Sequence, residues 1–216
     1  VITSSDTLRL KSPERTADRI HSLGNNAEAE FLKALYDISS KQFNSAMIHY
    51  GNAVENSAGG KYEELYKAFY YMNRAVLRAD MIEFISSIEN NVQTLTMDDQ
   101  GTTRARVKDQ VSMGYDYSDA VADMRTAAGI VGDIPYIHFN LGNLLCLSSS
   151  FVEAIDSYSR AISLYPYMGD AYFNRGLVLI YLKDKEKGCI DLSHAGELGV
   201  ADAYGVIKKY CEEAEQ

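Results

Sequence analysis

The sequence contains no tryptophan and, in 216 residues, three prolines, three cysteines and four histidines. Few prolines leave long helices uninterrupted and exclude a proline- or glycine-dominated fibrous or low-complexity chain. Cys146, Cys189 and Cys211 are odd in number and lack CxxC spacing. That argues against a disulfide framework and against a zinc site, and predicts three buried free thiols. Free thiols favour a reducing compartment. The chain begins at Val1 rather than Met, which points to processing or excision. The cytoplasm, or the bacterial periplasm after removal of a signal peptide, are therefore the compartments the sequence allows. No run of 18 apolar residues occurs, so no transmembrane helix and no membrane insertion are expected. Positive charge is scarce as well: 21 Lys and Arg against 30 Asp and Glu give a net charge of −9. A field of that sign repels phosphates and disfavours nucleic acid or an anionic membrane as partner.

Catalytic signatures are missing too. His21, His49, His138 and His194 are scattered, with no HExxH, GxSxG or metal-ligand spacing among them. There is no glycine-rich phosphate loop. Asp98-Asp99-Gln100-Gly101 offers carboxylates but not the ligand series of a calcium loop, and reads as a turn and helix start. No enzymatic activity, cofactor or metal is expected.

What the chain does contain is a period. The stretch PYIHFNLGNLLCLSSSFVEAIDSYSRAISLYP, from Pro135, is followed 34 residues later by GDAYFNRGLVLIYLKDKEKGCIDLSHAGELGV. Phe139/Phe173, Asn140/Asn174, Gly142/Gly176, Leu145/Leu179, Ser159/Ser193, Ala161/Ala195 and Leu164/Leu198 recur at that spacing. Small residues such as Gly142 and Ala154 let two antiparallel helices approach. Leu145, Tyr158 and Leu164 then fill the remaining volume, and Pro166 ends the second helix.

Leu141-Gly142, Ala154, Tyr158, Ala161 and Pro166 resemble the signature of the tetratricopeptide repeat, of the bacterial type. The following copy departs from it at Arg175, Gly188, Leu192 and Val200, as suits a unit near the end of an array. The resemblance implies an all-α, right-handed α-α superhelix of about five helical hairpins plus a C-terminal capping helix. It covers about residues 27–200.

In chain order, residues 1–25 form an N-terminal extension with a short helix opened by Ser12-Pro13-Glu14. The repeat domain spans 26–216, with units at about 27–58, 61–95, 101–132, 135–166 and 169–200. Ala46, Tyr50 and Ala53 reproduce the spacing of Ala154, Tyr158 and Ala161. Met72-Asn73-Arg74-Ala75 echoes Phe173-Asn174-Arg175-Gly176, and MIEFISSIENNVQ is expected as a separate partner helix in the second unit. Ala203, Val206, Ile207 and Tyr210 share one face of an amphipathic capping helix over 202–214.

The resemblance places the first helix of each pair on a concave face, with Asn73, Arg106, Asn140 and Asn174 in register there. Met72, Ala105, Phe139 and Phe173 would line an apolar strip beside Val76, Asp109, Asn143 and Leu177, with Tyr181 further along. An amide both donates to and accepts from a peptide backbone, so such a ladder suits an extended ligand. The same asparagines and phenylalanines also serve a purely scaffolding reading. Phe139 and Phe173 stand where a carboxylate clamp of this repeat would begin with lysine, which disfavours chaperone-tail binding. The implied function is a non-catalytic protein-interaction scaffold taking a peptide segment or partner helix in its groove. The alternative is a structural spacer or self-association module of a longer repeat protein, which makes a homo-oligomer an open expectation.

Overall fold

The computed structural model describes residues 13–57, 63–92 and 115–212. These hold ten α-helices, and no strand occurs among the described residues. Helices α1 (Pro13–Ser22), α2 (Asn26–Ser39) and α3 (Phe43–Glu55) are followed by α4 (Glu63–Val92) and α5 (Ser118–Ile130). Then come α6 (Pro135–Leu147), α7 (Phe151–Leu164), α8 (Gly169–Tyr181), α9 (Lys185–Glu197) and α10 (Asp202–Tyr210).

Two compact units divide the chain. The first comprises residues 1–56 and 73–120, the second residues 57–72 and 121–216. In the first unit α1 packs on α2 and α2 on α3. Ala34, Ala46, Tyr50 and Leu77 form its buried centre, with Phe31, Ile38, Phe43, Met47 and Met81 around them. In the second unit α6, α7, α8, α9 and α10 each pack on the next, and α6 also touches α8.

The repeat is visible in the backbone. Lys41, Ser149 and Lys183 are the described non-glycine residues with positive φ, at 59°, 60° and 71°, and each sits in the turn between the two helices of a hairpin. Each turn closes the same way. The N–H after the left-handed residue reaches back to the last helical turn, Gln42 to the Asp37 carbonyl at 2.8 Å, Ser150 to Leu145 at 2.7 Å and Asp184 to Leu179 at 2.9 Å. This is the pairing that satisfies otherwise orphaned helix-end carbonyls.

Close approach depends on the small residues. A Cβ on Gly142 would lie 2.5 Å from the Tyr158 ring, and one on Gly176 would lie 2.9 Å from the Gly188 carbonyl oxygen. Ala127, Ala161 and Ala195, evenly 34 apart, are all fully buried, as are Ala46, Ala53 and Ala154.

Two expectations are corrected. Within the unit expected over 61–95, the described residues 63–92 do not form a pair of helices: α4 runs unbroken for 30 residues. No glycine or proline lies between Glu63 and Val92, and Arg78, Ala79, Met81 and Glu83 beside Asp80 are good helix formers, so nothing there ends the first helix. The three cysteines are not all free thiols. Cys189 and Cys211 form a disulfide, and Cys146 alone is free among them. The expected N-terminal and capping helices are present as α1 and α10, and the first helix expected over 101–112 lies outside the described residues.

Candidate functional site

Of the residues expected along the concave strip, Phe139, Asn140, Asn143, Phe173, Asn174, Leu177 and Tyr181 lie on α6 and α8 of the second unit. Met72 belongs to the α4 segment of that unit, while Asn73 and Val76 belong to the first. Ala105, Arg106 and Asp109 lie outside the described residues.

Period 34 puts Asn140 and Asn174 at equivalent places, yet the hydrogen bond that forms is offset by one helical turn. The Asn174 Nδ2 donates to Asn143 Oδ1 at 2.9 Å. That oxygen also accepts the Tyr158 hydroxyl from α7, at 2.8 Å. Both lone pairs of the Asn143 carbonyl are thereby used, and three helices are tied at one atom. The Tyr158 hydroxyl lies 3.5 Å from the Cys146 sulfur as well. Burial, above all, and then Cys146 push the Tyr158 phenol up, so it stays a neutral donor. Burial likewise pushes the Cys146 thiol up, against the opposing hydrogen bond from Tyr158. Asn140 is half-buried, and its amide makes no hydrogen bond to another described residue.

Rings frame the network. Phe139 stands tilted against Tyr158 at 6.0 Å and packs on Ala161, Met168 and Ala171. Tyr181 meets Phe151 at 4.8 Å. Phe173 is half-buried, whereas Leu177 is 37% and Tyr181 65% exposed.

Beside the amides stands a buried ion pair that sequence reading missed. Arg175 Nε and Nη2 donate to the two Asp191 oxygens at 2.7 and 2.8 Å, and Nη1 donates to Ser159 at 2.8 Å. The guanidinium also lies 5.7 Å from the centre of the Tyr172 ring. Asp191, 5% exposed, is thus neutralised by a two-pronged partner, and its hydrogen bonds hold the Arg175 pKa up. The departure from the repeat pattern at Arg175 was the available signal. Its partner sits 16 residues on, in another helix, which local spacing does not reveal.

The first unit carries a second polar cluster. Glu30 accepts from Lys33 at 3.0 Å, from Asn52 at 2.9 Å, and pairs with His49 Nδ1 at 2.7 Å. His49 Nε2 stands 3.6 Å from Asp37. Burial raises the Glu30 carboxyl, but the bonds from His49, Asn52 and Lys33 together outweigh it and bring its pKa down to about 2. Among the described residues no group of three His, Cys, Asp or Glu is arranged to hold a metal ion. No helix among them is long and apolar enough to cross a membrane.

Sequence comparison finds no protein-family model and no curated protein that matches the chain. Structural comparison does find neighbours. YrrB, described as a TPR protein with an unusual peptide-binding site, superposes with a TM-score of 0.58 at 12% identity, over 91% of this chain and 90% of that one. MamA from Desulfovibrio magneticus RS-1 gives 0.57 at 11% identity over 92% of each chain. TTC0263, a thermophilic TPR protein of Thermus thermophilus, gives 0.56 at 12% identity over 92% of this chain and 97% of that one. With the 34-residue period, the repeated hairpin turn and the buried small residues, these likenesses make the chain, by fold, an all-α tetratricopeptide-repeat-like protein.

Proposed function

We propose that this chain is a non-catalytic interaction scaffold that takes an extended peptide segment of a partner protein along the face shared by α6 and α8. The observation that carries the reading is the Asn174–Asn143–Tyr158 junction. It fixes two amides in place while leaving the Asn143 Nδ2 and the Asn174 Oδ1 to a ligand backbone. Asn140 adds a third amide, one turn away. Amides already locked lose little freedom on binding, which lowers the entropic cost of holding a flexible peptide. Exposed Leu177 and Tyr181 offer apolar contact beside them. The peptide-binding site named for YrrB supports a ligand of this kind on this fold. A nucleic acid is disfavoured by the net charge of −9, and no catalytic role is proposed.

Peptides selected from an unbiased display library against the whole chain test the reading. Asn140→Ala and Leu177→Asp, with circular dichroism unchanged, are expected to weaken the selected peptides at least about tenfold. Val152→Asp, on the exposed face of α7, is expected to leave them unaffected. Peptides that bind all three variants like wild type would overturn the α6–α8 site.

A further inference from the structure

The described C-terminal end holds a device that the repeat pattern does not require. Helix α10 has nine residues, below the length at which a helix holds itself together in water. Its opening, Asp202-Ala203-Tyr204, repeats that of α8, Asp170-Ala171-Tyr172, and Ala171 and Ala203 are both fully buried. So α10 occupies the seat of a first helix in a further unit. Helix α8 is packed by α6, α7 and α9, whereas α10 packs on α9. The docked surface is small. Ala203 is inserted, Val206 and Ile207 are half-buried, and Gly196 of α9 leaves the space in which the Tyr204 ring rests. Tyr204 itself remains 61% exposed and Tyr210 45%.

At the far end of this helix the chain is fastened covalently. Cys211, the residue after Tyr210, is bonded to Cys189 near the start of α9, 22 positions earlier. The two helices run antiparallel, so the bond closes the open end of the α9–α10 hairpin, opposite the Glu197–Ala201 connection. Both half-cystines are only partly buried and can be reached by another thiol. We propose that Cys189–Cys211 is a redox-operated clasp: a dithiol reductant opens it and thereby releases α10 from α9.

The chemistry balances without a metal or further cofactor. A thiolate of the reductant attacks one sulfur, forming a mixed disulfide and expelling the other sulfur as a thiolate, which takes up a proton. The second thiol of the reductant then displaces the remaining cysteine. Two electrons and two protons arrive at Cys189 and Cys211, and the reductant leaves as a disulfide. Cys146 takes no part, since it lies on α6 in contact with Tyr158. Closing a loop of this length favours the docked helix by a factor on the order of a hundred. Reduction removes that factor and uncovers Gly196 and the α9 surface around it.

Hydrogen exchange on the full chain tests the clasp, after a non-reducing digest has been searched for the peptide pair joined through Cys189 and Cys211. Excess dithiothreitol is expected to speed exchange of the α10 amides about ten- to a hundredfold while those of α6 and α8 keep their rates. Cys211→Ser in oxidising buffer is expected to match the reduced wild type, and Cys146→Ser to match the oxidised one. Absence of the joined peptide overturns the proposal. So does α10 exchange that ignores the reductant, or an equal acceleration in every helix, which would make the bond a global staple.

Discussion

Asn174 of α8 donates its side-chain amide to Asn143 of α6 across 2.9 Å, and the same oxygen receives the Tyr158 hydroxyl from α7. One acceptor thus joins three helices. Asn143→Ala removes it, strands the half-buried Asn174 amide and leaves the buried Tyr158 hydroxyl only the Cys146 sulfur at 3.5 Å, at an expected cost of about 1 to 3 kcal/mol. Asn174→Ala removes only one donor and is expected to cost about 1 kcal/mol or less. Urea denaturation of the two variants and the double variant checks the ranking, and the double is expected to cost less than the sum.

Tyr50 and Tyr158 stand in equivalent places with unequal surroundings. The hydroxyl of Tyr50 is buried without a hydrogen-bond partner among the described residues, because Leu35 and Ile38 occupy the positions that Asn143 and Cys146 hold in the later hairpin. Tyr50→Phe is therefore expected to be neutral or stabilising, while Tyr158→Phe costs about 1 kcal/mol. Melting curves for the pair decide it, and equal losses would refute the contrast.

Glycines in this chain divide by what lies beside them. Nothing stands within 4 Å of a Cβ placed on Gly51 in α3, whereas one on Gly176 meets the Gly188 backbone. Gly51→Ala is expected to stabilise by about 0.5 to 1 kcal/mol through helix propensity. Gly176→Ala is expected to destabilise by about 1 to 3 kcal/mol, since the carbonyl opposite cannot rotate away. Thermal unfolding of the two variants should shift in opposite directions.

Acid stability of the first unit turns on Glu30, whose pKa falls from 4.5 to about 2 in the fold. A folded pKa below the unfolded one stabilises above the unfolded value, and that stabilisation is lost as pH falls from about 4.5 towards 2. After allowance for solvent screening its contribution is about 2 kcal/mol. Glu30→Gln is expected to lose most of this at pH 7 and to flatten the acid limb of the stability curve over that window. A variant curve parallel to wild type would show that the carboxyl contributes nothing there.

The 34-residue period, the all-α class and the small-residue contacts were legible in the chain because each is carried by local spacing. Gly142 and Ala161 recur as Gly176 and Ala195, and Ala154, Tyr158 and Ala161 recur as Ala46, Tyr50 and Ala53, since a repeated packing problem leaves a repeated sequence trace. The helix lengths were less legible. Helix α4 continues through Asp80 because one aspartate, with no glycine or proline near it, costs a helix only a fraction of a kcal/mol, roughly 0.7 at most, and the expectation of a break there rested on the period alone.

The remaining features belong to the tertiary structure. Cys189 and Cys211 are 22 residues apart, and only the antiparallel return of α10 along α9 brings their Cα atoms to 5.8 Å. Arg175 finds Asp191, and Asn174 finds Asn143 rather than Asn140, because helix crossing fixes which side chains face each other. Spacing along one helix determined which residues turn inward. Which partner each one meets was decided by the neighbouring helix, whose placement no local pattern in the sequence records.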